Sequence, residues 1–313
     1  IFSYILRGIG DVGNEILSLI SPLGLILRTE VYVNNYWWPV VVTIGVSIII
    51  FGVALYLSSI RDVGAGFIST RPGRKSASRL LTSHLGLSLR LQRTPIIAWV
   101  VGMFILGASY GSILGDLEGF IDSSGILQQM IPESEGFSMT ERFISMLMVV
   151  LSILGTIPTL IFVLKLLSEE KRKRVEHLLA RAVSKNNILG SYTLIAIVAA
   201  PIIQLMSVLG LWSAALFTME DPLPFSTLFK AGLVHLPAIW ILVGLAALLI
   251  GWSPRFTGLT WLYLGYSFFV VYLGEMLQLP DWMAKLSPFG HIPQVPIEEI
   301  NFLTISILVL IAL

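Results

Sequence analysis

Long apolar segments constrain this chain more than any other feature of its sequence. A helix rises about 1.5 Å per residue, so about 20 apolar residues are needed to cross a hydrocarbon core of about 30 Å. Six segments reach or approach that length, and a seventh begins at Phe302. The six cover residues 38–57, 96–114, 143–167, 188–217, 231–251 and 256–277. The pattern predicts an all-α polytopic membrane helix bundle of about six complete transmembrane helices plus a truncated one.

The composition excludes several classes of protein. Hydrophobic residues make up 55% of the chain and charged residues only 12%, whereas soluble domains are about 25% charged. These values exclude a disordered chain, a nucleic-acid-binding module and an ordinary soluble enzyme. The chain has no cysteine and four widely separated histidines, so we expect no thiolate or zinc site. The sequence predicts no catalytic, cofactor-binding or metal-binding residue.

The distribution of charge between the predicted loops sets the orientation. One set of loops holds fourteen Lys or Arg and four acidic residues. The other set holds five Lys or Arg and fourteen acidic residues. The first set comprises 58–95, 168–187 and 252–255; the second comprises 1–37, 115–142, 218–230 and 278–301. Because basic residues are enriched in cytoplasmic loops, the first set is predicted to face the cytoplasm of a multi-pass protein of the cell membrane.

A short sequence motif that occurs twice suggests that the chain derives from an internal duplication. Ser21-Pro22-Leu-Gly and Ser287-Pro288-Phe-Gly lie 266 residues apart, and each precedes a linker and an apolar segment on the predicted outer side. We therefore expect a piece of a longer chain with two tandem repeats. Residues 1–60 would be the outer segment and last helix of the first repeat, and 61–78 a cytoplasmic linker. Residues 79–313 would be the second six-helix repeat, with its last helix truncated.

Two segments on the predicted cytoplasmic side are amphipathic. In residues 79–95, Arg79, Arg90 and Arg93 fall on one side of a helical wheel and leucines on the other. This favours an interfacial helix in contact with lipid, although residues 85–92 also alternate as a strand would. In 168–187, Val175, Leu178 and Leu179 recur at helical spacing. That short helix either docks a soluble subunit or packs on its own bundle.

Few polar side chains lie within the predicted spans. Gln204, His235 and Glu275 lie either deep in a span or near its outer face. Polar or ionisable groups in a membrane are candidates for a transport pathway. Each of the three is isolated in sequence, so an interhelical contact is the alternative interpretation.

Five segments together resemble the permease subunits of ABC exporters, especially the group described as exporters of polyketide antibiotics. They are RDVGAGFISTRPG (61–73), LGLSLRLQRTPIIAW (85–99), YGSILGD (110–116), SEEKRKRVEHLLARAVSKNNILGSY (168–192) and SPFGHIPQVP (287–296). The resemblance covers nearly the whole chain in the correct order. One position departs from the family pattern: Lys173 stands where a glycine usually precedes the arginine.

The resemblance implies partners and roles. The interfacial helix would match the elbow helix of such permeases. The 168–187 segment would couple to separate ABC ATPase subunits, two per tandem permease. The coupling residues would be Glu169, Glu170, Arg174, Val175, Glu176, Leu178 and Leu179. ATP and Mg²⁺ would be bound by the partner, since this sequence has no phosphate loop. The resemblance also implies a bacterial plasma-membrane exporter of hydrophobic or amphipathic, antibiotic-like molecules, associated with multidrug resistance.

Two other classes compete with this interpretation. An ion-coupled secondary transporter or channel would need several coupled ionisable groups at mid-membrane. A membrane-embedded enzyme would need clustered His, Asp or Glu side chains on facing helices. The sequence supplies few such groups within the spans, and this favours a permease without an enzymatic activity of its own.

Overall fold

A computed structural model gives the fold. It describes residues 19, 21–60, 76, 81, 83–117, 136–179, 183–274, 277–298 and 300–312. The side chains of residues 177–179 and 281 lie outside that description. The described ranges consist of helices joined by turns and contain no strand. The chain divides into two compact units, residues 1–75 and 76–313; the predicted linker, 61–78, lies almost entirely outside the described residues.

The first unit contains two described helices. Helix α1 spans Pro22–Leu27 and follows a buried serine, Ser21. Helix α2 spans Trp38–Ile60, and none of its most apolar 18-residue stretch is buried. Such an apolar and uncovered helix is suited to a lipid environment or to contact with another part of a larger protein.

The second unit is a helix bundle. Its long helices are α3 (His84–Gly111), α4 (Met139–Lys171), α6 (Lys185–Thr218) and α8 (Leu236–Trp252). The shorter ones are α5 (Arg174–Leu179), α7 (Phe225–Leu233), α9 (Gly258–Tyr272), α10 (Asp281–Lys285) and α11 (Phe302–Ala312). Helix α4 carries the largest share of buried residues, so the core lies around it. The molecule is an all-α, multi-pass membrane helix bundle.

Five segments in the described part of the chain are long and apolar enough to cross a membrane: α2, α3 with its following turn, α4, α6, and α7 with α8. The predicted span 256–277 differs, because α9 has 15 residues and extends only about 22 Å. At its end the Leu273 N–H donates to the Phe269 carbonyl. The apolar stretch is therefore longer than the helix that it forms.

The interfacial segment also differs from the prediction. Helix α3 is continuous over 28 residues, His84–Gly111, so the predicted amphipathic segment and the predicted span share one helix. Pro95 lies inside it and does not end it. Arg90 and Arg93 are exposed, while Gly86, Ser88 and Gln92 form the buried face. Small and uncharged residues on that face let the helix continue against the bundle. Arg79 lies outside the described residues.

Helices α3 and α6 pack at backbone contact through glycines. A Cβ atom added to Gly107 would overlap the Ser207 carbonyl oxygen, and one added to Gly111 would overlap that of Leu211. From the other side, a Cβ atom on Gly210 would overlap the Phe104 carbonyl oxygen. The Thr218 hydroxyl also donates to the Gly111 carbonyl at 3.1 Å. Small residues at every fourth position are the usual means by which membrane helices approach closely.

Pro201 lies inside α6 without ending it. A proline removes the amide that would bond the carbonyl four residues earlier, which here belongs to Ile197. That carbonyl accepts a hydrogen bond from the Trp240 indole N–H of α8 at 3.2 Å. The packing partner thus satisfies the group that the proline leaves free, as a low-dielectric environment requires.

The predicted outer segment packs back along α9. The Tyr263 hydroxyl donates to the Leu286 carbonyl at 2.7 Å, and the Tyr266 hydroxyl donates to the Met283 carbonyl at 2.8 Å. Tyr263 precedes the end of α9 by nine residues, which is about 14 Å along the helix. Residues 283–286 therefore lie beside α9 and not beyond its end.

The two Ser-Pro steps share a local conformation. Ser21 has φ −85° and ψ 129°, and Ser287 has φ −91° and ψ 138°. Each serine is fully buried, and each following proline begins a short helix. Residues 1–18 and 20 lie outside the described residues, and the tandem repeat stays a prediction.

The close approach of α3 and α6 leads to a prediction. Gly107→Ala should destabilise the protein by about 1–3 kcal/mol, because the new methyl group must displace the α6 backbone. Gly102→Ala is the matched control on the same helix, since a Cβ there would meet nothing within 4 Å. Thermal unfolding of the detergent-solubilised protein measures both. Equal destabilisation by the two variants would contradict backbone-contact packing.

Candidate functional site

The end of α4 on the predicted cytoplasmic side forms a tight turn. Helix α4 ends at Lys171, and Arg172 N–H donates to the Ser168 carbonyl at 3.2 Å. Lys173 has a φ of +57° and its N–H donates to the Glu170 carbonyl at 2.8 Å. This left-handed residue closes the helix in the way that a glycine usually does. Helix α5 then begins at Arg174, so only two residues separate the two helices.

A buried carboxylate fixes α5 to the end of α4. Glu169 has a side chain only 4% exposed and lies 3.1 Å from Nη1 of Arg174, the first residue of α5. Its other oxygen lies 3.5 Å from Nζ of Lys165, one turn earlier on α4. The two cations are 55% and 38% exposed, so both can keep part of their hydration. The carboxylate thus holds a small charge network that joins the two helices.

Val175 contributes the apolar part of this attachment. It is 6% exposed and belongs to the core cluster of the bundle. Val175 therefore faces the core of its own chain, and its role in coupling stays a prediction. Glu170, Arg174 and Glu176 are exposed. Leu178 and Leu179 lie in α5, but their side chains are outside the description.

The network extends to two further helices. Tyr192 of α6 is 3% exposed, and its hydroxyl interacts with the Ser88 side chain of α3 and with the charge of Glu169. Ser88 is 4% exposed. The same ends of α3, α4 and α6 therefore meet around one buried group of polar side chains.

The deep polar residues form contacts within the bundle. Gln204 is fully buried, and its Nε2 donates to the Ser152 hydroxyl of α4 at 2.7 Å. His235 is 1% exposed at the junction of α7 and α8, with Nδ1 3.0 Å from the Ala231 carbonyl oxygen. In the part of the chain that the structure describes, Gln204 Oε1 and His235 Nε2 have no hydrogen-bond partner. Glu275 lies outside the described residues. A pathway role for these residues stays a prediction.

Sequence reasoning missed the residues that assemble this site. It named Glu169 and Arg174, but it did not name Lys165 as the partner of Glu169, nor Ser88 and Tyr192. The spacing of Lys165 and Glu169, four residues on one helix, could have predicted their ion pair. The contact between Tyr192 and Ser88 joins positions far apart in sequence and had no local signal. Among the described residues, no group of three or more His, Asp or Glu side chains is placed to hold a metal ion.

Comparison with known proteins assigns the chain to a family. Residues 81–313 match the family described as "Multidrug efflux system permease Rv1217c, C-terminal domain". The chain belongs to this family. It is also 31% identical, over 298 residues, to the multidrug efflux system permease protein Rv1217c of Mycobacterium tuberculosis strain ATCC 25618 / H37Rv. The alignment covers 94% of this chain and 54% of that relative, so the chain spans about half the relative's length.

The position of Glu169 leads to a prediction about α5. Glu169→Gln removes the negative charge from both ion pairs, and we expect the attachment of α5 to weaken by about 1–3 kcal/mol. That range lies between the values for exposed and buried pairs, because the carboxylate is buried and both cations are partly exposed. Hydrogen exchange across residues 172–179 measures the attachment.

Glu170→Gln is the matched control for that experiment, since Glu170 is the neighbouring acid and is exposed. It should leave exchange in 172–179 close to the wild-type rate. Equal protection of α5 in the two variants would show that the Glu169 network does not hold the helix.

The left-handed Lys173 leads to a second prediction. Lys173→Gly should stabilise the turn by about 1 kcal/mol, because a side chain disfavours this backbone region and glycine does not. The matched control is Lys171→Gly, two residues earlier in the last turn of α4, where glycine should destabilise by about 1 kcal/mol. Opposite changes in thermal stability are expected. A loss of stability in Lys173→Gly would contradict the left-handed conformation.

Proposed function

We propose that this chain is part of the membrane permease of an ATP-driven ABC exporter. The permease would move hydrophobic or amphipathic small molecules, of the kind to which many antibiotics belong, out of the cell. Separate ATPase subunits, two per complete permease, would bind and hydrolyse ATP with Mg²⁺. This chain would be a transport subunit without an enzymatic activity of its own.

Two findings support an exporter permease. The relative is named a multidrug efflux system permease, and the matched family carries the same description. The multi-pass helix bundle supplies the membrane component that such a role needs. The resemblance of the 61–73, 85–99 and 168–192 segments to ABC exporter permeases supports the finer proposal that ATP is the energy source.

The attachment of α5 to α4 carries the proposal of coupling. A push from a soluble partner moves a membrane helix only if the contacted segment is fixed to that helix. Glu169 joins α5 to α4 through Arg174, and Val175 anchors α5 in the core. Tyr192 of α6 lies within electrostatic range of Glu169 at the end of α4. A force on α5 would thus reach the ends of both α4 and α6.

The exposed face of α5 is the proposed contact with the ATPase. Glu176 is exposed on α5, and Glu170 is exposed just before it in the last turn of α4. Exposed ion pairs contribute about 0–1 kcal/mol each. Apolar residues therefore should dominate the affinity, as they do at most interfaces. Leu178 and Leu179 are the apolar residues of α5 that remain as anchors, since Val175 is buried in the chain itself.

The test is assembly of the full-length permease with its ATPase. Replacing Leu178 and Leu179 together with Ser should preserve membrane insertion and reduce the ATPase that co-purifies by about tenfold, a loss of about 1.4 kcal/mol. The control replaces two exposed leucines on the predicted outer side with Ser: Leu277 at the end of the predicted span and Leu286 in the predicted outer segment. It should leave co-purification unchanged.

Substrate-stimulated ATP hydrolysis in proteoliposomes is the second measurement. Normal assembly and normal stimulated hydrolysis in the Leu178 and Leu179 variant would overturn the coupling role of α5. Transport that proceeds without ATP, and that stops when an ion gradient is collapsed, would instead support an ion-coupled secondary transporter.

A further inference from the structure

A groove lies between the end of α4 and the beginning of α9, on the predicted cytoplasmic side. Its volume is about 490 Å³. Lys171, Arg172 and Thr257 supply polar groups to its lining, and Leu164, Leu167 and Trp261 supply apolar surface. The groove is separate from the exposed face of α5, although Lys171 and Arg172 directly precede that helix.

The two cations of the groove are available to a ligand. Lys171 and Arg172 are exposed. Among the described residues, the ion pairs at this end of α4 join Glu169 to Lys165 and Arg174 and do not involve the two groove cations. Two adjacent positive side chains at the mouth of a cavity favour an anionic group, and arginine binds phosphate oxygens in a bidentate manner.

The apolar lining lies deeper in the membrane than the cations. Leu167 and Leu164 precede Lys171 by four and seven residues on α4, which is about 6 and 10 Å along the helix. Trp261 lies on the first turn of α9, and its side chain is 39% exposed. Tryptophan is enriched at this depth because its ring is apolar and its N–H is polar.

The groove is therefore amphipathic along the membrane normal, with positive charge towards the cytoplasm and an apolar wall towards the bilayer. We propose that it binds one anionic phospholipid of the cytoplasmic leaflet. Lys171 and Arg172 hold the phosphate of the headgroup, and the first carbons of an acyl chain lie against Leu164, Leu167 and Trp261. A soluble phosphate compound would fill only the polar half, whereas a phospholipid matches both.

The excess of basic residues on this side of the protein agrees with an anionic ligand. The predicted cytoplasmic loops hold fourteen Lys or Arg against four acids, and anionic lipids attract such clusters near the membrane surface. The site requires only that the end of α4 and the beginning of α9 face the cytoplasmic leaflet. It does not depend on the source of energy for transport.

Native mass spectrometry of the full-length protein in detergent tests the site. Phosphatidylglycerol and phosphatidylcholine with identical acyl chains are titrated separately. Phosphatidylglycerol should bind at least tenfold more tightly, and glycerophosphoglycerol, which lacks acyl chains, should not displace it at equal concentration. Equal affinity for the two lipids, or full displacement by the chain-free headgroup, would overturn the proposal.

Matched variants locate the site. Lys171→Gln should weaken phosphatidylglycerol binding by about fivefold, and the Lys171→Gln, Arg172→Gln double variant by tenfold or more. Lys185→Gln removes one positive charge from an exposed residue on the same side outside the groove, and it should change binding by less than twofold. Equal weakening by Lys171→Gln and Lys185→Gln would show that only the general surface charge matters.

A second pair of variants tests the apolar wall. Trp261→Ala should weaken phosphatidylglycerol binding severalfold. Trp252→Ala removes an exposed tryptophan at the end of α8 that does not line the groove, and it should have no effect. Equal effects of the two tryptophan variants would overturn the placement of the acyl chain. The lipid comparison on the wild-type protein stands even if a variant fails to fold.

Discussion

The contact between α3 and α6 is the constraint on which the second unit depends. In a lipid environment, apolar side chains gain little by moving from lipid to protein, so helices associate through close packing and hydrogen bonds. Gly107, Gly111 and Gly210 bring the two backbones together where a larger residue would separate them. Dispersion contacts then act between main-chain atoms as well as side chains. The pair thereby forms a layer of two helices against which α4 and α8 can pack.

Three polar groups in this bundle are satisfied by a hydrogen bond from a second helix. The Trp240 indole bonds the carbonyl that Pro201 leaves free, and Ser152 accepts a hydrogen bond from Gln204. Thr218 bonds the carbonyl of Gly111, one of the glycines in the close contact between α3 and α6. Each bond joins two helices, so each one fixes the rotation of a helix about its axis as well as its position. Dispersion packing between apolar faces is less directional and could not do this alone.

The sequence predicted the long helices well because a helix crosses a membrane only if its apolar segment is long enough, and both length and hydropathy can be read directly from the sequence. It predicted their ends less well. The amphipathic segment and the span of α3 form one helix, since no local signal reports whether a helix bends on entering the bilayer. Helix α9 is shorter than its apolar segment, and residues 283–286 lie beside it. That arrangement depends on two tyrosine hydroxyls, which a hydropathy window treats as ordinary interfacial residues.

For the candidate site, the sequence predicted the segment but not its geometry. A short helix with Glu169, Arg174 and Val175 could be identified, since helical spacing is a local property. Which side of that helix faces the bundle is decided by contacts with residues distant in sequence. The burial of Val175 and the contact of Tyr192 with Ser88 therefore had no local signal. The close-packing glycines at the end of α3 did have a local signal, because Gly107 and Gly111 of α3 and Gly115 just after it are spaced four residues apart. They were recognisable as a close-packing motif.

The arrangement of these contacts suggests how a local push could become a larger rearrangement. Helices α3 and α6 are joined at the backbone and would move as one body, because separating them would expose unfilled space along their whole contact. Helix α4 contacts that body through side chains at the Gln204–Ser152 hydrogen bond and around Gly155. Side-chain contacts can exchange partners at lower cost than backbone contacts can separate. Helix α5 is fixed to α4 by Glu169, and the charge of that carboxylate also acts on Tyr192 of α6. Helix α5 is therefore attached to α4, the helix that can shift against the α3–α6 pair, and a displacement of α5 would be passed on to that contact.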